Sequence, residues 1–93
     1  MQEKASTILI VDDEPELVRA LTVRLNSAGY QTLSASTGAA ATVMAISQQP
    51  DLVLLDIGLP NGDGYQVASR LRATGRTAHI PIVFLTARTW DLD

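Results

Sequence analysis

The chain has 93 residues, enough for one small domain and too few for two. Hydrophobic residues make up 46% of it, which favours a packed core over disorder, and its formal net charge of −3 argues against direct nucleic-acid binding through phosphates. The absence of cysteine excludes a disulfide framework, a thiolate metal site and a thiol nucleophile.

The start, Met1-Gln2-Glu3-Lys4-Ala5, precedes a strand and does not read as a signal peptide. No apolar stretch approaches the ~20 residues that span a bilayer. No membrane contact is therefore expected, and a cytoplasmic location is. Lys4 is the only lysine, so any ammonium group needed near an acidic pocket must come from outside this chain.

Thr7–Val11 reads as a first strand, apolar enough to be buried on both faces. Asp12 or Asp13 is then placed to cap a helix, with Pro15 in its first turn. Leu17, Val18, Leu21, Leu25 and Ala28 recur at helical spacing, and Gly29 follows at a C′ position. Tyr30–Ala35 is a second strand whose polar Gln31, Thr32 and Ser34 suit a sheet edge. Ser36 or Thr37 caps a second helix running to about Gln48, with Ala40, Val43, Met44 and Ser47 on one stripe. Pro50 closes that connection.

Asp51–Asp56 is the third strand, followed by the turn-rich run Gly58 to Gly64. A third helix starts near Gly64, carries Val67, Ala68 and Leu71 inward, and ends at Gly75. Arg70, Arg72 and Arg76 read as its solvated face, and His79 as a solvated loop residue. Ile80–Leu85, with Pro81 at its start, is the fourth strand; Thr86 stands at its end, and residues 87–93 begin a helical segment. Alternating strands and helices with short, right-handed connections predict an α/β fold: a doubly wound parallel sheet with helices on both faces.

The acidic positions carry the chemistry. Asp12 and Asp13 follow the first strand and Asp56 the third, which places all three at the carboxyl edge where open α/β sheets bind ligands. Three gathered carboxylates repel one another unless a cation or protons intervene, which predicts a divalent metal site and makes Asp56 a candidate for chemistry.

Asp12-Asp13 after strand one, Asp56 after strand three and Thr86-Ala87 after strand four form one ordered pattern. With the run Leu54 to Pro60 and the Gly62-Asp63-Gly64 turn, it resembles the receiver domain of two-component response regulators over the whole chain. The resemblance implies a flavodoxin-like sheet of order 2-1-3-4, with the fifth strand and fifth helix of the family absent from these residues. It implies that residues 1–93 form one receiver domain, C-terminally incomplete. Asp56 would accept a phosphoryl group from a sensor histidine kinase or phosphotransfer protein, as a step in phosphorelay signalling and without conventional enzymatic turnover. Asp12, Asp13, Asp56 and the Gly58 backbone carbonyl would hold Mg²⁺, with Mn²⁺ as a substitute. Thr86 and Ala87 would contact the phosphoryl group, and Pro60 and Gly64 would shape the loop after strand three.

The pattern also departs from the family. The lysine that follows the fifth strand is missing, and Gly58 stands where a larger side chain is common, leaving the phosphorylation site open to water. The fourth strand is expected to be an exposed edge, open to self-association or domain swapping. Two other functions compete with phosphoacceptance. One is a receiver-like interaction module that works without phosphorylation. The other is a Mg²⁺-dependent aspartyl phosphatase, whose Asp-x-Asp signature the adjacent Asp12-Asp13-Glu14 does not match.

Overall fold

A computed structural model of the chain describes residues 5–85. The elements in chain order are β1 (Thr7–Val11), α1 (Pro15–Ser27), β2 (Gln31–Ala35), α2 (Gly38–Gln48), β3 (Leu52–Asp56), a 3₁₀ turn (Pro60–Gly62), α3 (Asp63–Ala73) and β4 (Ile82–Leu85). All strand pairs are parallel and the sheet order is β2-β1-β3-β4, the flavodoxin-like arrangement expected. The first crossover steps outward from β1 one way, and the next two step the other way. Right-handed connections then place α1 on one face and α2 and α3 on the other.

Side-chain alternation assigns the faces. Leu9, Val11, Val53 and Leu55 meet Ala41 and Ala45 of α2 and Val67 and Leu71 of α3 in one buried cluster. Ile8 and Ile10 point to the opposite face and are just as buried. The unbroken apolar run of β1 thus reflects a central strand covered on both sides. Leu9, Leu55 and Leu71 expose no surface, and each contributes on the order of 2 kcal/mol by burial.

The structure departs from the sequence reading at several ends and faces. Tyr30 lies outside β2, and β4 begins at Ile82, not Ile80. Pro81 has no N–H to give the ladder, and its carbonyl accepts from Val53 N at 3.0 Å just ahead of the strand. Neither Asp12 nor Asp13 caps α1: Glu14 occupies the capping position and makes no side-chain cap bond. Thr37 does cap α2, accepting from the Ala40 N–H at 3.1 Å.

The stripe expected on α2 is rotated. Gly38, Ala41 and Ala45 face inward, Met44 is half-buried, Ala40 and Ser47 are exposed, and Val43 is 67% exposed. Small residues face inward because α2 and α3 approach closely, and a Cβ on Gly38 would sit 3.1 Å from Val67 Cγ2.

Gly29 holds φ of 99° after α1, the left-handed C′ conformation expected of it. α3 stops at Ala73, two residues before Gly75. Its last carbonyls are captured by hydroxyls: Thr77 Oγ1 donates to Leu71 O at 2.7 Å and Thr74 Oγ1 to Arg70 O at 2.8 Å. Arg72 is not merely solvated, because its guanidinium donates to Ile80 O at 2.8 Å and Ala78 O at 3.3 Å. It thereby ties α3 to the segment leading into β4.

Candidate metal centre

Strand register builds the site. Val11 pairs with Leu55, so Asp12 and Asp56 leave the sheet side by side at its carboxyl edge. β1 lies between β2 and β3, and the chain departs from it in opposite directions, which makes this edge the topological switch point. Two backbone bonds fix the loops: Asp12 N donates to Ala35 O at 3.1 Å, and Ile57 N to Leu85 O at 3.2 Å.

Asp12 and Asp56 are 2% and 7% exposed, whereas Asp13 is exposed. Each offers a carboxylate oxygen, and these oxygens lie within 4.8 Å of one another. Two of the site's carboxylate oxygens are oriented by local N–H donors. Asp12 Oδ1 accepts from Glu14 N at 2.9 Å, and Asp56 Oδ1 from Gly58 N at 2.7 Å. Asp56 Oδ2 has no hydrogen-bond partner among the described residues.

Asp12 Oδ2 is buried and has no hydrogen-bond partner among the described residues. A buried carboxylate oxygen left unpaired is costly, so the fold holds it there against its own stability. Burial raises the Asp12 pKa above its ordinary value of 3.8. The Glu14 N–H partly opposes that rise, and the charges of Asp56, Asp13 and Glu14 add to it. Three hard oxygen donors with no nitrogen or sulfur among them suit Mg²⁺ or Mn²⁺, and a divalent cation would satisfy Asp12 Oδ2 and cancel the repulsion.

On one side of the cluster opens a cavity of about 260 Å³ whose lining includes Asp12, Asp13, Arg19, Ser34 and Ser36. On the other side stands α3. Gly64 is in the first turn of this helix and not in the preceding loop, and it is buried. Pro60 opens the 3₁₀ turn that leads there. Gly58 is half-buried beside Asp56. Thr86 and Ala87, expected to contact a phosphoryl group, lie outside the described residues.

The acidic triad was therefore legible as a pattern, and register brings its three members together. Sequence reasoning missed the cavity lining, which comes from α1 and the end of β2, elements whose polar residues carry no signal of their own. It also missed the link from Ile57 to Leu85, since backbone donors leave no trace in a sequence.

The family described as the response regulator receiver domain matches residues 8–91. The transcriptional regulatory protein KdpE of Mycobacterium tuberculosis is 46% identical over 86 residues, which is 92% of this chain and 37% of that protein. The chain spans about a third of the length of most of the curated relatives it matches. Among solved structures, the N-terminal domain of a response regulator receiver protein from Methanoculleus marisnigri superposes with a TM-score of 0.85 at 35% identity, covering 91% of this chain and 69% of that one. The receiver domain of the sensor histidine kinase PA1611 from Pseudomonas aeruginosa, solved with a magnesium ion in its active-site cleft, gives 0.85 at 32% identity, covering 97% of this chain and 74% of that one.

Proposed function

The chain belongs to the response regulator receiver domain family of two-component signalling, and on that premise we propose that Asp56 accepts a phosphoryl group from a histidine kinase or phosphotransfer protein. The observation that carries this reading is the buried Asp12 Oδ2, without a hydrogen-bond partner among the described residues, inside a triad that offers three oxygens within 4.8 Å of one another. Such a triad is costly to the fold alone and useful to a dianion brought in with a cation.

Asp12, Asp13 and Asp56 would hold Mg²⁺, with the Gly58 carbonyl as a further oxygen donor. The bound ion supplies charge neutralisation to an incoming phosphoryl group. The chain's own residues do the rest. Gly58 N–H holds Asp56 Oδ1 and leaves Oδ2 to meet phosphorus. The Asp56 O–P bond forms as the donor's P–N bond breaks, and the leaving imidazole nitrogen keeps the electron pair and takes a proton. The product is an aspartyl phosphate. Later attack by water on phosphorus returns the carboxylate and inorganic phosphate. Thr86 and Ala87 are assigned the phosphoryl contact, and Pro60 and Gly64 the shape of the approach to α3, on the strength of the family pattern.

No helix among the described residues is long and apolar enough to cross a membrane. A cytoplasmic setting, where histidine kinases deliver phosphoryl groups, accords with this chemistry. β4 is the outermost strand on its side among the described residues, and Val83 and Phe84 are 47% and 43% exposed. A second copy pairing along that edge is the self-association this reading includes, and light scattering of the 93-residue chain against concentration checks it.

The test of the site is intact mass after incubation with a small acyl-phosphate donor, with and without Mg²⁺, alongside Asp56→Asn. A Mg²⁺-dependent phosphoryl adduct that the substitution abolishes is expected. A folded sample with no adduct would overturn phosphoacceptance by these residues and favour the interaction-module reading.

A further inference from the structure

One long stretch of this chain carries no charge. Residues 25–50 contain no Asp, Glu, Lys, Arg or His, although 18% of the chain is charged and that average would place about five charged residues there. The stretch holds β2 and α2. The solvent face of a helix ordinarily carries charged or polar side chains. α2 turns Ala39, Ala40 and Val43 outward beside Ser47 and Gln48, and Val43 is 67% exposed. Between this face and Leu33 of β2 lies an apolar recess of about 600 Å³.

β2 is the outermost strand on its side among the described residues. Successive residues of a strand turn their backbone N–H and C=O to opposite sides. Gln31 N donates to Ser6 O at 2.9 Å and Ala35 O accepts from Asp12 N at 3.1 Å, so Gln31, Leu33 and Ala35 turn these groups toward β1. Thr32 and Ser34 turn theirs away from the sheet. Edges are ordinarily protected from pairing by charge, by proline or by a bulge. β2 has neither charge nor proline, and its register with β1 runs unbroken from Gln31 to Ala35.

We propose that the β2–α2 edge is a self-pairing surface, on which a second copy of this chain adds its own β2 antiparallel across a two-fold axis at Leu33. In that register Thr32 faces the partner's Ser34, and Ser34 faces the partner's Thr32. All the outward N–H groups and carbonyls of the two strands then pair. Leu33 meets the partner's Leu33 as a non-hydrogen-bonded pair, where side chains approach most closely, and the recess beneath α2 takes both. Two four-stranded sheets become one, with the two α2 helices side by side on one face.

The occupant follows from the charge. With a net charge of −3, two copies repel one another in general. Across a two-fold axis the same patch faces itself, so any charge near the axis meets its like. A self-pairing surface must therefore be free of charge at its centre, whereas one built for a foreign partner gains from charge opposite to that partner's. Residues 25–50 meet the first condition. A strand of five residues spans about 17 Å and a helix of eleven about 16 Å. That is the small end of specific interfaces, so the dimer is a reversible one. The edge lies opposite β4, and the inference stands apart from phosphoacceptance.

Sedimentation velocity of the 93-residue chain from about 10 µM to about 1 mM tests it. Val43→Glu, Ser34→Pro and Val83→Glu are run beside the parent, each first shown folded by circular dichroism. Val43 is exposed enough for glutamate to leave the core alone. The Ser34 N–H points away from β1, so proline there removes no bond within the sheet. The parent is expected to pass from monomer to dimer across that range. Val43→Glu sets like charges against each other and Ser34→Pro deletes bridging bonds, and each should raise the dimer Kd about tenfold or more. Val83→Glu, on the β4 edge, should leave the dimer as it is. If Ser34→Pro does not fold, Val43→Glu decides alone. A parent still monomeric at about 1 mM, a dimer that Val43→Glu leaves intact, or one dissolved by Val83→Glu alone would overturn the proposal. So would a monomeric parent that co-sediments with phosphatidylcholine vesicles, which would assign the face to a lipid surface.

Discussion

Replacing Asp12 by asparagine should stabilise the metal-free chain. Asp12 is 2% exposed, its Oδ2 has no hydrogen-bond partner among the described residues, and its nearest buried like charge is Asp56, with ligand oxygens within 4.8 Å. Burial is the largest penalty on this carboxylate; repulsion between two charges at that distance, on the order of 3 kcal/mol at an effective dielectric constant near 20, adds to it, and proton uptake relieves part of both. Asparagine keeps the Oδ1 that accepts from Glu14 N at 2.9 Å, loses the charge, and puts an amide donor in place of the unpaired oxygen. A net gain of about 1–3 kcal/mol is expected at neutral pH, and each kcal/mol moves the Tm of a domain this size by about 4–8 °C. Thermal and urea unfolding in chelator and in saturating Mg²⁺ measure it. Mg²⁺ at a hundredfold excess over its Kd should return about 2.7 kcal/mol to the parent, closing or inverting the gap, and less to the variant. The reasoning is refuted if Asp12→Asn is the less stable chain in chelator, or if Mg²⁺ stabilises both equally.

The same carboxyl gives a pH dependence. Its folded pKa is raised above 3.8, so the folded chain holds the Asp12 proton to higher pH than the unfolded chain. Its contribution to stability is therefore greatest in acid and is lost as pH rises from about the ordinary Asp value through the raised one; in chelator, the parent-minus-Asp12→Asn difference in unfolding free energy should fall with pH across that window, and a flat difference would contradict it. Arg72→Met keeps the aliphatic stem but removes the donors to Ile80 O and Ala78 O, and urea denaturation should show a loss of about 1–2 kcal/mol with Mg²⁺ affinity unchanged. At Gly58, half-buried beside Asp56, asparagine or methionine should shield the aspartyl phosphate from water and lengthen its half-life. Identical decay of phosphorylated parent, Gly58→Asn and Gly58→Met, followed by intact mass, would remove water access as the reason.

Much of this molecule could be read from its sequence because its signals are local and strong. Apolar runs that end in carboxylates mark β1 and β3, and once the sheet is parallel with β1 beside β3, Asp12 and Asp56 must come together. Where the reading failed, the cause was tertiary. The inward face of α2 is made of Gly38, Ala41 and Ala45, chosen for small size, and a hydrophobic stripe finds Val43 instead, which faces solvent. Asp12 looks like a helix cap by residue type, but its carboxylate turns to Glu14 N and into the sheet edge. Arg72 looks solvated on a helical wheel, and its partners Ala78 and Ile80 lie six and eight residues on, beyond the reach of helical periodicity. Gly64 reads as a turn former, and only coordinates show that backbone occupies the place of its Cβ.

The arrangement also explains how a charge at Asp56 can be felt elsewhere. The phosphorylation proposed for Asp56 would add about −1.5 to −2 charge to a group already within reach of two other carboxylates. The Asp56 carboxylate cannot shift freely, because the turn behind it is closed by Gly58 N, backed by α3 at Gly64 and bonded through Ile57 N to the last described residue of β4. Of those three, the Ile57–Leu85 bond is the one that ties the turn to a neighbouring strand, so it is the contact through which a displacement of the turn would reach β4.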